Sequence, residues 1–195
     1  MEEKKQPQKV KDFFSKNKHY VFIIIISIIV SIPMFMPNFN MQYDDGIQHI
    51  CRLIGTEQSI KEGQIFPVIM SNFCNEFGYS WNLFYSPLTA YVPLIFRIFG
   101  ISFEMCLKLF ILLVSMLTGI SMYFYILKIT KKQNIAILAG VLYILVPYRL
   151  NDMYFRMAIP ELTTFIFIPM VFNGLHTIIK LKKKTSLLIW RSSSE

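Results

Sequence analysis

Residues 20–36 read YVFIIIISIIVSIPMFM, an almost continuous run of apolar side chains. In lipid the backbone must satisfy its own hydrogen bonds, so this run predicts a membrane-spanning helix. The basic segment of residues 1–19 precedes it, an order that is also typical of a secretory signal peptide. Because the apolar run is long and no small-x-small cleavage site follows, we interpret it as an uncleaved anchor behind a cytoplasmic tail.

The composition of the whole chain supports a membrane protein. Of its 195 residues, 54% are hydrophobic and 16% are charged, whereas soluble domains carry about 25% charged residues. This composition excludes a soluble globular domain, a disordered chain and a disulfide scaffold. The three cysteines, Cys51, Cys74 and Cys106, form no CxxC pair, so they predict neither a zinc site nor a disulfide framework.

The lysine clusters predict the topology. Further apolar runs occupy residues 83–100, 105–127, 135–148 and 162–179, and another begins at 187, with basic clusters at 128–132 and 180–184. If 83–100 does not cross the membrane, the N-terminal tail and both clusters lie in the cytoplasm, as the positive-inside rule requires. We therefore predict an all-α polytopic bundle over residues 20–195 with the N-terminus inside. Its four complete spans are residues 20–37, 105–127, 135–148 and 162–179.

The outer loop between the first two spans, residues 38–104, should contain its own helices, because structureless loops of that length are rare. We predict interfacial helices over 45–62 and 83–100, the second containing Pro87, Pro93 and Arg97. The first helix has two faces by its spacing. Its apolar face, expected to rest on the membrane, comprises Ile47, Ile50, Cys51 and Ile54. Its polar face, expected to point into water, comprises Asp45, His49, Arg52 and Thr56.

A second polar insert, residues 148–161, reads YRLNDMYFRMAIPE. Arg149, Asp152 and Arg156 are spaced to share a helix face, and arginines at a membrane surface suit phosphate oxygens. Glu161 follows at the mouth of the last complete span. For both inserts a structural interpretation stays open: helix caps, solvated charges and a surface ion-pair network gather the same residues without a function.

These segments together resemble a known family. DDGIQHICRL at 44–53, EGQIFP at 62–67, the aromatic stretch at 77–100 and PYRLNDMYFRMAIPE at 147–161 resemble the bacterial membrane proteins labelled 6-pyruvoyl-tetrahydropterin synthase-related. That family is similar to the integral-membrane glycosyltransferases of the GT-C fold. The resemblance implies a multi-pass protein of the bacterial cytoplasmic membrane, with juxtamembrane helices in its first outer loop.

The resemblance also implies a function. It is the transfer of a sugar from a polyprenyl-phosphate donor on the outer face, for cell-envelope polysaccharide assembly. Asp45, with Asp44 beside it, matches the position of the catalytic base. The residues expected to bind substrate are His49, Arg52, Arg149, Arg156 and Glu161. A divalent metal such as Mg²⁺ or Mn²⁺, held by Asp45 and Glu161, would fit carboxylate ligands. The expected partners are membrane lipid and the lipid-linked donor. Topology accounts for the net charge of +8, so no nucleic-acid binding is inferred.

Two alternatives belong to other classes. A transporter should place ionisable residues in mid-span, and the predicted spans have almost none. A non-catalytic membrane protein that binds a lipid-linked polymer or a protein partner remains open. GT-C proteins usually have more spans, and this chain stops at LLIWRSSSE. We therefore expect it to be the amino-terminal part of a longer protein, truncated or frameshifted. Under the non-catalytic alternative the truncated chain is inactive.

Overall fold

The structure is a computed structural model that describes residues 18–192 except 38, 40, 42 and 43, with side chains up to 180. The predicted tail therefore lies outside the described residues apart from Lys18 and His19. The regular elements of the described part are helices. In chain order they are α1 (Lys18–Ser31) with a 3₁₀ turn (Ile32–Phe35), α2 (Gly46–Lys61), α3 (Trp81–Phe84), α4 (Leu88–Arg97), α5 (Phe103–Thr130), α6 (Gln133–Ile144), α7 (Pro147–Asn151) with a π-helical turn (Asp152–Arg156), and α8 (Ile159–Ser192).

Helix α5 is the centre of the bundle and packs against α1, α2, α4, α6 and α8. Three segments are long and apolar enough to cross a membrane: Lys18–Phe35, Phe103–Thr130 and Ile159–Lys180. A fourth span results if α6 and α7 are counted as one bent helix pair. The predicted class, an all-α integral membrane protein, is confirmed.

The fourth candidate span differs from the uninterrupted helix predicted over 135–148. Helix α6 ends at Ile144 and the chain bends by 42° before Pro147–Arg156. Proline disfavours helical backbone in the residue before it and lacks an amide hydrogen, so α7 begins at Pro147. The twelve residues of α6 extend about 18 Å, less than a bilayer core of about 30 Å, and only the pair together is long enough to cross.

The C-terminal helix also differs from the prediction. The sequence predicts a span that ends at residue 179 and another that begins at 187, with the lysine cluster at 180–184 between them. Instead, the backbone of α8 stays helical from Ile159 to Ser192. Lysine is a good helix former, so a charge cluster by itself does not end a helix.

Small residues bring α5, α6 and α1 close together. A Cβ added to Gly140 would lie 2.9 Å from the backbone oxygen of Gly119, and one added to Gly119 would lie 2.6 Å from the side chain of Ile23. Ser27 donates a hydrogen bond to the backbone oxygen of Ser115 across 3.3 Å. Such close contacts are typical of helix packing in membranes, where small residues let backbones approach.

The bundle has a basic end and an acidic end. At the basic end the Tyr20 ring of α1 meets the Phe124 ring of α5, and Lys128 of α5 bonds to Thr177 of α8. At the acidic end the start of α2 meets the residues just before α8 through Asp45 and Arg156. Lys128 and the Asp45–Arg156 junction therefore lie at opposite ends of the bundle, while the topology in the membrane stays a prediction.

Candidate functional site

Two distant segments meet at the acidic end through their backbones. The amide of Asp45 donates to the carbonyl oxygen of Arg156 across 3.2 Å, and Asp45 is the residue just before α2. Gly46 follows, and a Cβ there would lie 1.8 Å from the backbone oxygen of Met41 and 3.2 Å from the side chain of Met157. A glycine is therefore required for this close approach. The two polar inserts that the sequence singled out form one site.

The side chains of the second insert form a closely bonded cluster. Arg156 donates to both oxygens of Glu161 at 3.0 Å and to Asp152 at 2.6 Å. Tyr148 donates to Glu161 at 2.5 Å and accepts from Arg156 at 3.1 Å. We call Asp44, Asp45, Tyr148, Asp152, Arg156 and Glu161 the acidic cluster.

The backbone explains why these residues meet. Residues 152–156 form a π-helical turn, a feature often found at functional sites. Met157 then has a left-handed backbone with φ +52°, and the amide of Ala158 donates to the carbonyl oxygen of Asp152 at 3.1 Å. This reversal places Glu161, in the first turn of α8, opposite Arg156. The sequence did not single out Tyr148, and its place at the start of the polar insert, directly before Arg149, was the one signal available.

The cluster carries excess negative charge. Its described members are four carboxyl groups and one guanidinium. Asp152 is fully buried, and its Oδ2 has no hydrogen-bond partner. Burial raises the pKa of Asp45 above its ordinary value, the carboxylates of Asp44 and Glu161 raise it further, and Arg156 opposes them. Asp45 is half-buried, and with its raised pKa its carboxylate is a better proton acceptor than an ordinary aspartate.

The polar face of α2 does not point into water as predicted. His49 and Arg52 are 5% and 1% exposed, whereas Ile47 and Ile54 on the apolar face are 43% and 41% exposed. Because lipid offers no hydrogen bonds, the polar face turns towards the protein and the apolar face is left outside. The predicted aqueous position of His49 and Arg52 is therefore wrong.

Arg52 joins α2 to α3, to the segment after α3 and to the first turn of α4. It donates to Thr89 at 2.9 Å, to the backbone oxygen of Ser86 at 2.7 Å and to Asn82 at 3.3 Å. Burial lowers its pKa to about 10, so it is still protonated at neutral pH. Beside it, burial and the charge of Arg52 lower the pKa of His49 to about 4, which leaves the imidazole neutral against the Tyr85 ring.

Arg149 does not share a surface with Arg156. Its side chain is fully buried and donates to Ser115 at 2.6 Å and to the backbone oxygen of Ile144 at 3.0 Å. The second bond satisfies a carbonyl at the C-terminus of α6, where helices leave such groups unpaired. The predicted surface position of Arg149 is wrong because the bend after α6 turns its side chain into the core.

The geometry does not favour a metal between Asp45 and Glu161. Both oxygens of Glu161 already accept hydrogen bonds from Arg156. Among the described residues, no group of three or more His, Cys, Asp or Glu side chains could hold a metal ion. Glu161 is thus engaged by Arg156 rather than turned towards Asp45, and a divalent ion held by these two carboxylates stays a prediction.

A cavity of about 230 Å³ lies next to the acidic cluster, between α4 and α8. Its lining is rich in hydroxyl groups and comprises Ser86, Leu88, Thr89, Pro160, Thr163, Thr164 and Phe167. Thr89 also accepts a hydrogen bond from Arg52, so the buried arginine fixes one wall of the cavity.

Comparisons with known proteins agree with a membrane protein. The chain is 24% identical over 190 residues to an uncharacterized protein of Lactococcus lactis subsp. cremoris (strain MG1363), covering 95% of this chain and 31% of that protein. The chain thus spans less than a third of the relative's length. No solved structure matches it. Residues 83–192, more than half of the chain, match a family described as the 6-pyruvoyl-tetrahydropterin synthase related domain, a membrane protein. The chain therefore belongs to the 6-pyruvoyl-tetrahydropterin synthase-related family of membrane proteins.

Proposed function

We propose that this chain is the amino-terminal part of a membrane glycosyltransferase of GT-C type, in which Asp45 takes the proton from an acceptor hydroxyl. The donor would be a sugar on a polyprenyl phosphate, used at the outer face of the bacterial cytoplasmic membrane for cell-envelope polysaccharide. The observation that carries the proposal is the Asp45–Arg156 backbone bond, which brings both polar inserts to the Asp45 carboxylate. The sugar chemistry itself rests on resemblance to a fold and is an analogy.

The proposed reaction is a displacement at the anomeric carbon. The acceptor oxygen forms a bond to that carbon while the bond to the phosphate oxygen breaks, and the phosphate leaves with the electron pair. Asp45 accepts the acceptor's proton as the new bond forms. The acceptor attacks from the side opposite the phosphate, so the anomeric configuration inverts.

Charge decides which substrate the acidic cluster would hold. Four carboxyl groups against one guanidinium repel a phosphate, and Arg156 is already paired with Asp152 and Glu161. Carboxylates do accept hydrogen bonds from sugar hydroxyls. We therefore propose that the acidic cluster binds the acceptor and that the Arg156–Glu161 pair forms the side of the site opposite Asp45. The donor phosphate would bind outside the acidic cluster. Arg52 and Arg149 serve as buried supports.

The test measures transfer by the full-length protein in lipid nanodiscs. Polyprenyl-phosphate hexoses with a radiolabelled sugar are the donors, and membrane glycans extracted from a cell-envelope preparation are the acceptors. We expect Asp45→Asn to reduce transfer at least a hundredfold, which is the typical contribution of a general base. The matched control is Glu62→Gln, because Glu62 is an exposed outer-loop acid that accepts from Ser71. Asp45→Asn at full rate would remove Asp45 as the base.

A non-catalytic role is the second candidate. It is favoured by the pairing of Arg156 with both carboxyl oxygens of Glu161. A structural ion-pair network has the same geometry. Under this candidate the wild-type protein binds the glycans, releases no polyprenyl phosphate from any donor, and binds equally well as Asp45→Asn. Transfer by the wild type would exclude it.

A further inference from the structure

A second feature lies at the basic end of the bundle, away from Asp45. A groove of about 760 Å³ runs between α5 and α8, within the size range of ligand sites. Most of its lining is apolar, and polar side chains are gathered at one end. Leu117, Phe124 and Ile166 belong to the apolar walls, Ser121 lies on α5, and Lys128 and Lys131 line the polar end.

Lys128 brings a positive charge into this groove, and no acid of the described residues balances it. Its ammonium donates to Asn173 at 2.6 Å and to Thr177 at 2.5 Å. An ammonium has three donors, so one is still free. Within the described part of the chain, no carboxylate oxygen lies within 4.0 Å of the Lys128 nitrogen. An ionisable side chain within a membrane segment is costly and often marks a functional site.

Lys131 adds a second charge at the mouth of the groove. It is exposed and caps α5 in a left-handed backbone with φ +59°, its amide bonded to the carbonyl oxygen of Leu127. Its neighbour Lys132 is exposed too but does not line the groove. The two lining lysines therefore lie together at the end of an apolar channel.

We propose that this groove binds one anionic diacyl phospholipid, with an acyl chain along the apolar walls and the phosphate at Lys128 and Lys131. The pairing of an apolar channel with two cations at its end matches a lipid, since a free phosphate would leave the channel empty. Basic pockets between membrane helices are known sites for anionic head groups. The lipid would fill the space between α5 and α8 and hold their ends together.

Native mass spectrometry tests this with the full-length protein reconstituted in vesicles of equal parts phosphatidylglycerol and phosphatidylcholine. The wild type should retain one phosphatidylglycerol in preference to phosphatidylcholine after detergent extraction. Lys128→Met keeps the apolar stem and should lower that occupancy at least about fivefold. Lys132→Met, with the same loss of charge one residue beyond the groove, should leave it unchanged.

A second variant tests the apolar part and does not depend on Lys128. Ser121→Phe fills the groove from α5 and should also prevent lipid retention, with helix content unchanged by circular dichroism. Three results would overturn the proposal: equal retention of the two lipids by the wild type, an equal loss in Lys128→Met and Lys132→Met, or a wild type that retains no lipid. The last would mean that another segment or partner covers the groove.

Discussion

The backbone amide of Asp45 donates a hydrogen bond to the carbonyl oxygen of Arg156 across 3.2 Å. The bond joins the residue before α2 to the π-helical turn before α8, and it uses no side-chain atom. Substitutions at Asp45 should therefore leave the junction in place while changing its chemistry. The role of the Asp45 carboxyl group can therefore be tested without breaking the junction.

We predict that cysteine reporters at Asn72 and Asn151 are labelled by an impermeant thiol reagent in intact cells, whereas one at Gln133 is not. All three positions are exposed in the structure, so accessibility depends on the side of the membrane. The native Cys51, Cys74 and Cys106 are first replaced, and membrane permeabilisation serves as the control that opens Gln133. Labelling of Gln133 in intact cells would mean that the basic end of the bundle faces the outside of the cell, contrary to the prediction.

We predict that Asp45→Asn raises the melting temperature at pH 7 and leaves it unchanged below pH 3.8. Burial and the neighbouring carboxylates raise the folded-state pKa of Asp45 above its ordinary 3.8. A raised folded pKa gives stability below the unfolded value that is lost as the pH rises through the folded value. At pH 7 the charged aspartate thus destabilises the fold, and asparagine does not. Thermal unfolding in detergent from pH 3 to 8 measures the difference.

The control for this pH dependence is Glu57→Gln, where the opposite sign is expected. Burial raises the pKa of Glu57, but hydrogen bonds from Lys61 and Arg97 outweigh it, and the pKa is lowered. Glu57→Gln should therefore lower the melting temperature at pH 7 and lose that effect as the pH falls through the lowered pKa. A destabilising Asp45→Asn at pH 7 would contradict the environment assigned to Asp45.

We predict that Arg52→Met destabilises the protein by about 3 kcal/mol, because it removes the charged hydrogen bonds to Asn82 and Ser86 and the one to the buried hydroxyl of Thr89. The outer segment of residues 62–100 should become more sensitive to protease, since Arg52 ties it to α2. Lys61→Met is the comparison: its side chain is 70% exposed, and its loss should change stability by less than about 0.5 kcal/mol. Urea unfolding followed by tryptophan fluorescence reports both values, because Trp81 lies in this segment.

We predict that Arg149 and Ser115 are coupled, since the Arg149 guanidinium donates to the Ser115 oxygen at 2.6 Å. Arg149→Met and Ser115→Ala should each lower the free energy of unfolding. The double variant should lower it by about 1 kcal/mol less than the sum of the two single losses. A double-mutant cycle of unfolding free energies measures this coupling. Additive losses, together with weaker donor binding by Arg149→Met, would instead support the phosphate-binding role predicted from the sequence.

The sequence by itself determined the class of protein and the segments that matter. Long apolar runs must be helical because lipid leaves no other way to pair the backbone. The spacing of His49 and Arg52 against Ile47 and Ile54 also predicted an amphipathic helix, and α2 is found at Gly46–Lys61. The two polar inserts were identified from their charges, and the structure brings Asp45 and Arg156 together.

Only the tertiary structure decided which way those side chains face. A helical period defines two faces, but it does not say whether the polar face meets water or other protein groups, and α2 turns Arg52 inwards to Thr89 and Ser86. The i, i+3, i+7 spacing of the second insert assumed one straight helix. The bend after Ile144 and the π-helical turn instead send Arg149 to the core and Arg156 to Glu161. Such bends depend on contacts between segments far apart in the chain, which no local pattern contains.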